Sequence, residues 1–349
     1  MCSDRATSVL RTPGVSARWL GRLRLEVPVL QAPLGGGISS PELAATVSNA
    51  GGLGSIGMRA PDSMVRDFAL ARSLARGRPL GMGLLVPFTR RAHVDAIVAS
   101  TPDAVVLMAG FAPALVERLH AAGIFVLHQI GSREEAERAL AHRADALVAQ
   151  GVEAGGHVLG VEAGRSLLRQ VLPIAGEKPV LLAGGIATAD DVKTGLGHGA
   201  AGVVVGTRYL LTHEAHAHSV YKERVLGAKR TLLTTLFGFG WSQKHRVVPN
   251  AATARFCDEQ GRIARWAQIV DRMSEPLVQP FAMLRDPSGG SARRFDRLPL
   301  FSPGSPRPGQ PEWAVECTAL YAGESATRIQ DLRGAFEITK TLAEGARGA

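Results

Sequence analysis

Between residues 25 and 210 the chain repeats one pattern eight times: a short apolar run, then an amphipathic stretch, at a spacing of about 20–25 residues. The runs are Val27–Ala32, Gly52–Gly57, Leu80–Val86, Ala104–Met108, Ile124–His128, Ala146–Ala149, Pro179–Ala183 and Gly202–Val205. Between them lie Pro41–Asn49, Asp62–Ala75, Arg91–Ser100, Pro113–Ala121, Arg133–Ala141, Gly164–Leu172 and Ala189–Leu196. Continuous apolar runs suit strands buried on both faces of a parallel sheet, and each parallel pair needs a crossover, usually a helix. Eight such units predict an α/β fold, a TIM (β/α)8 barrel. A doubly wound open sheet stays open as a rival, because Gly35-Gly36-Gly37 follows the first strand, where that fold keeps its phosphate-binding glycines. Gly-rich strand ends later in the chain favour the barrel.

Local signals agree with the helices. Ser40-Pro41-Glu42 sets a capping hydroxyl ahead of a proline at the first helical position. Ser132 to Glu135 matches a capping box. Thr188 precedes Asp190 and Asp191, carboxylates that a helix N-terminus favours. Past residue 211 the rhythm changes. His213–Leu226 and Gly261–Met273 read as helical, Pro276–Gln310 as irregular loop rich in Pro, Gly, Ser and Arg, and Gln330–Glu344 as a helix stopped near Gly345. The expected organisation is a barrel from 1–211 completed by 319–349, with 212–318 as a helical and irregular insert, or lid, over one end.

Composition bounds the function classes. Net charge is +9, with 40 Lys and Arg against 31 Asp and Glu. The excess is spread out, from Arg5, Arg11, Arg18, Arg22 and Arg24 to Arg285, Arg293, Arg294 and Arg297. No basic run carries interleaved aromatics and no zinc-finger spacing occurs, so nucleic acid is not an expected partner. The charge suits anionic substrates or a phosphate-bearing cofactor. Cys2, Cys257 and Cys317 are too few and too scattered for a disulfide framework or structural zinc, which fits a reducing cytoplasm. No apolar stretch is long enough to span a bilayer, and the N-terminus has no signal-peptide core.

Three strand ends carry the chemistry. The sixth run leads into Gln150 to His157, a loop with Gly155 and Gly156 before its one imidazole. Glycines there let a flat ligand approach backbone, and His157 exchanges protons near neutral pH. The seventh run ends Ala183-Gly184-Gly185 and the eighth Val205-Gly206-Thr207, each leading into a helix. Loops after strands seven and eight are the usual barrel phosphate site. The first run ends in Ala32, Pro33 and Leu34, small and stiff residues suited to lining a flat ring.

In this order, QAPLGGGISSPELAATVSNAGGLGSIG, AQGVEAGGH, LLAGGIATADDV and GAAGVVVGTRYLLTHEA resemble the nitronate monooxygenase family of FMN-dependent TIM-barrel enzymes. The resemblance runs from about Leu25 to Asn250 and resumes over Cys317–Glu344. It implies FMN as cofactor, with its phosphate at Ala183, Gly184, Gly185, Gly206 and Thr207 and its ring against Ala32, Pro33 and Leu34. It implies polar flavin contacts at Gln129 and Gln150, a close backbone approach at Gly155, and His157 as the catalytic residue. The implied reaction oxidises alkyl nitronates or nitroalkanes with dioxygen to a carbonyl compound and nitrite. Enoyl-thioester reductases that use FMN and NADPH share much of the pattern; under that reading an acidic carrier protein is a partner for the basic surface. A non-catalytic flavin-binding protein is the third reading. One departure stands out: many family members carry Gly-Val-Asn-Leu at the end of the third strand, and this chain has Gly81-Met82-Gly83-Leu84.

Other polar residues keep two readings. His128 faces either the site or a neighbouring strand. Glu153 either orients His157 or is a solvated charge. His213, His216 and His218 read as a surface helix rather than a metal cluster, so no metal is expected. Arg208 and Tyr209 frame the phosphate region, or Arg208 is a surface charge at a helix start. Phe237, Phe239 and Trp241 form a homodimer contact, a lid core or a substrate wall.

Overall fold

The computed structural model describes residues 22–238, 241, 243–274 and 304–347. Cys2, Phe239, the arginines before residue 22, Arg285, Arg293, Arg294 and Arg297, and loop residues 276–303 lie outside them. Eleven strands are described: β1 (Val29–Gln31), β2 (Gly54–Ile56), β3 (Leu80–Leu85), β4 (Ala104–Met108), β5 (Phe125–Ile130), β6 (Ala146–Gln150), β7 (Gly156–His157), β8 (Val180–Ala183), β9 (Gly202–Val205), β10 (Leu232–Thr234) and β11 (His245–Val247). Eight form a parallel sheet in the order β1-β9-β8-β6-β5-β4-β3-β2. Its two ends meet: Leu30 bridges Leu53, and Gln31 N donates to Leu53 O at 2.9 Å. The Gln31 side chain reinforces the seam by accepting from Ser55 N at 2.8 Å. The sheet is therefore a closed TIM barrel, and the open-sheet alternative falls away.

The crossovers are α1 (Pro41–Asn49), α2 (Pro61–Leu74), α3 (Arg91–Ser100), α4 (Pro113–Ala121), α5 (Arg133–Ala141), α6 (Gly164–Ala175) and α7 (Ala189–Gly197). Ser40 Oγ caps α1 by accepting from Leu43 N at 3.0 Å, and Thr188 with Asp191 forms a reciprocal box on α7. Ser132 caps α5, but the Glu135 carboxylate reaches Gly131 N instead of closing the box. Beyond β9 come α8 (Thr207–Leu210), α9 (Ser219–Leu226), α10 (Ala251–Phe256), α11 (Arg265–Ser274), α12 (Trp313–Cys317) and α13 (Ala335–Glu344). The last helix returns to the barrel and packs against α1 and α7, completing the outer ring.

Side-chain alternation sorts the core. Leu30, Val106, Leu127, Val148, Leu181 and Val204 fill the barrel interior, whereas their neighbours Val29, Leu147, Leu182 and Val203 pack outward against helices. With a period of two, the next inward positions toward the C-terminal mouth are Ala32, Gln129, Gln150 and Ala183.

The region after residue 211 departs from expectation. Helix α9 starts at Ser219, not His213, because the preceding backbone is claimed from afar: His213 N donates to Arg333 O and His216 N to Ile38 O. His218 is the N-cap, accepting from Val220 N. Helices α11 and α13 likewise start four or more residues late. The segment expected to be helical also holds β10 and β11, which join β7 in a three-stranded antiparallel sheet. Its own core is built from Leu232, Leu236, Phe237, Val247, Ile263 and Ala319. No helix among the described residues is long and apolar enough to cross a membrane.

Candidate active site

His157 sits on β7, directly after the loop from β6. Strand β11 sets His245 opposite His157 and Arg246 opposite Gly156. The rest of the loop is fastened residue by residue. Gln150 uses both ends of its amide, donating to His157 O at 2.9 Å and accepting from Leu159 N at 3.0 Å. Gly151 N donates to Ala183 O, and Glu153 O accepts from Glu324 N at 2.9 Å. A side chain at Gly155 would start 2.4 Å from Gly323 N, so the close approach there is to the chain's own 322–323 backbone. Glu153 does neither of the things expected of it. Its carboxylate accepts from Gly164 N at 2.9 Å, neutralising the positive end of α6.

An aromatic box surrounds the His157 ring. Trp241 stacks on it with centroids 4.1 Å apart, and Tyr321 and His245 stand at 5.4 and 5.3 Å. Trp241 in turn meets Phe88 edge-on at 4.9 Å. The His157 Nε2 is closed to solvent and has no hydrogen-bond partner among the described residues. Burial, and secondarily the facing His245, hold this imidazole well below its ordinary pKa. His245 is neutral for a second reason. Its Nδ1 faces the Gln243 carbonyl at 3.1 Å and its Nε2 accepts from Phe237 N at 3.1 Å, which fixes one neutral tautomer. Burial brings its pKa to about 4. Burial thus favours the uncharged form of His157, and no described residue engages its Nε2.

The mouth around it is lined by small and amide groups. Gln129 faces inward at the end of β5 and makes no side-chain hydrogen bond among the described residues. At the end of β8, Gly184 and Gly185 adopt φ of 104° and 72°, conformations that favour glycine. Their N–H groups find no backbone acceptor among the described residues. Gly206 precedes α8, and Thr207 Oγ1 accepts from Gly323 N at 2.9 Å. Pro33 explains the sequence departure at Gly83: a Cβ there would lie 2.5 Å from the Pro33 ring. Leu34 packs at the edge of a neighbouring cluster with Ile38 and Leu211.

Several other candidates resolve away from the mouth. His128 points outward, stacked on Phe111 at 4.8 Å with Nε2 against Gly110 O. Arg208 pairs with Asp331 at 2.7 Å, and Tyr209 is buried against Thr339 on α13. His213, His216 and His218 build no metal site among the described residues. Phe237 belongs to the insert core, whereas Trp241 covers His157. His245, Arg246 and Tyr321 were not singled out as site residues from sequence. The signal that marks two of them is a pair of strand-prone runs rich in Leu, Thr and Val, 231–236 and 245–248, on either side of Gly238 and Gly240.

A shielded imidazole at the glycine-lined C-terminal end of a closed (β/α)8 barrel lies on the face where barrel enzymes keep their sites. The family model described as nitronate monooxygenase matches residues 19–95 and 86–268. A nitronate monooxygenase of Pseudomonas aeruginosa is 34% identical over 269 residues, 62% of this chain and 76% of that protein. A Mycobacterium tuberculosis protein is 36% identical over 347 residues, 91% of this chain and 92% of its own; it is named (3aS,4S,5R,7aS)-5-hydroxy-7a-methyl-1-oxo-octahydro-1H-indene-4-carboxyl-CoA dehydrogenase. The nitroalkane oxidase structure from Streptomyces ansochromogenes superposes with a TM-score of 0.71 at 25% identity, covering 94% of this chain and 99% of that one. The chain belongs to the nitronate monooxygenase family, and is an oxidoreductase of that flavin-dependent type.

Proposed function

We propose that the protein oxidises alkyl nitronates or nitroalkanes with dioxygen, using FMN, to a carbonyl compound and nitrite. The observation that carries this is the buried, unpartnered Nε2 of His157 beside an inward-facing mouth. FMN, when bound, supplies the electron acceptor and the dioxygen chemistry. The residues fit such a group. The N–H groups of Gly184 and Gly185, which meet no backbone acceptor among the described residues, with Ala183, Gly206 and Thr207, suit its phosphate. Ala32, Pro33 and Leu34 suit the ring face, and the free Gln129 amide suits a polar ring edge. Gln150 and Gly155 serve the loop that carries His157.

His157 receives the α-proton of a neutral nitroalkane, or holds an anionic nitronate in place. A neutral imidazole is ready to accept a proton, and an anion brought beside it raises its pKa toward the working range. Trp241 and Tyr321 keep water from the transferred proton. The 212–318 segment acts as the lid that sets substrate size.

A second reading, reduction of an enoyl thioester by NADPH through FMN, draws on Gly83, where Pro33 leaves no room for a polar side chain, and on the relative whose name places a carboxyl-CoA thioester in its substrate. Anaerobic mixing separates the readings. Bleaching of FMN-loaded protein by an alkyl nitronate, without NADPH, supports the first. No bleaching by nitronate, with reduction by NADPH instead, overturns it in favour of thioester chemistry.

A further inference from the structure

Arg246 is a buried cation beside the active site that has no part in the chemistry above. It neighbours His245 on β11, and strand alternation sends the two side chains to opposite faces. His245 joins the aromatic box. The Arg246 guanidinium turns to the loop ahead of His157, where Nε and Nη2 both donate to the Val152 carbonyl, at 3.1 and 2.8 Å. Nη1 reaches Thr231 Oγ1 at 3.2 Å, and Nη2 pairs with Glu324 Oε1 at 3.0 Å. Burial lowers its pKa, opposed by the carboxylates of Glu324 and Glu153.

We infer that Arg246 is a positioning residue for His157, clamping the Val152 carbonyl to Thr231 and to the Glu324 segment so that the loop presents the imidazole at one fixed place. Between Val152 and His157 come Glu153, committed to α6, then Ala154, Gly155 and Gly156, which have almost no side chain with which to hold the loop. A planar fork gripping one carbonyl twice defines direction as well as distance, which a lysine ammonium does not. Glu324 grips the loop twice as well, through its N–H to Glu153 O and through Arg246. Burying a guanidinium at this spot is costly unless its partners are all in place.

This inference rests on His157 being the proton acceptor, and the test keeps the two apart. The FMN-loaded enzyme is labelled at histidine and the His157 ring is followed by NMR titration, its signal assigned with His157→Gln. The groups facing that ring are His245, Trp241 and Tyr321, none of them altered. In Arg246→Met the His157 pKa moves up toward the ordinary histidine value, and kcat falls by about ten- to a hundredfold with KM much less changed. Arg246→Lys keeps the charge and lies between. An unchanged His157 titration in folded Arg246→Met overturns the inference. Should that variant not fold, Glu324→Gln must move the His157 signal in the same direction, and a fixed signal there overturns it equally. A moved signal supports the positioning role even in an enzyme that leaves nitronates untouched, an outcome that counts against the proposed reaction alone.

Discussion

The His157 imidazole lies nearly parallel to the Trp241 indole, centroids 4.1 Å apart and planes at 26°. The indole covers one face of the imidazole, and desolvation is the main cause of its depressed pKa. Trp241→Ala is expected to raise the pKa of His157 toward the ordinary histidine value. The pH profile of the anaerobic half-reaction checks this: its acidic limb should move to higher pH, and an unmoved limb would mean that Trp241 does not shield the base.

Stability should fall in mild acid. His128 and His245 are buried and neutral, each with a pKa of about 4 against an unfolded value near 6.5. The unfolded chain therefore binds more protons, so the histidines' contribution is complete above pH 6.5 and is lost as pH falls toward 4. At 1.36 kcal/mol per unit, each histidine contributes at most roughly 3 kcal/mol. Urea midpoints at pH 7.5 and pH 4.5 measure the loss. His128→Phe, which keeps the stack on Phe111, should flatten the pH slope.

Gly83→Asn should harm the protein rather than restore a family contact. The new Cβ would overlap the Pro33 ring at 2.5 Å. Overpacking of this kind costs about 1–3 kcal/mol. Thermal melting and retained flavin report it, and the double change with Pro33→Ala should recover part of the loss. A single variant as stable as the parent would show that Pro33 yields freely.

Glu153→Gln separates support from catalysis. It removes a charge from the N-terminus of α6, worth about 0.3–1 kcal/mol, and leaves the His157 surroundings intact. A small drop in melting temperature with an unchanged pH profile is expected. A shifted profile would return Glu153 to the role of orienting His157.

The barrel was legible because its signals are local. Apolar runs with proline or hydroxyl caps fixed Pro41–Asn49, Pro113–Ala121 and Arg133–Ala141 at their observed bounds. His157 was legible as the imidazole of a Gly-rich strand end. What surrounds it was not. Tyr321 lies 164 positions from His157 in sequence, and the antiparallel pairing of His245 with His157 is a tertiary fact without a periodic signature. The late start of α9 has the same origin, since Arg333 and Ile38 take the backbone groups that a helix over 213–218 would need. Gln150 shows the limit at a single residue: its inward position follows from strand alternation, but its commitment to the His157 and Leu159 backbone depends on how the loop folds back.

The most direct test follows flavin bleaching anaerobically in wild type and His157→Gln, with a neutral nitroalkane and with its preformed nitronate. If His157 takes the α-proton, the substitution slows bleaching by the neutral nitroalkane by about 10²–10⁴-fold and by the nitronate far less, with flavin still bound. Equal rates in both proteins with the neutral nitroalkane would contradict that role.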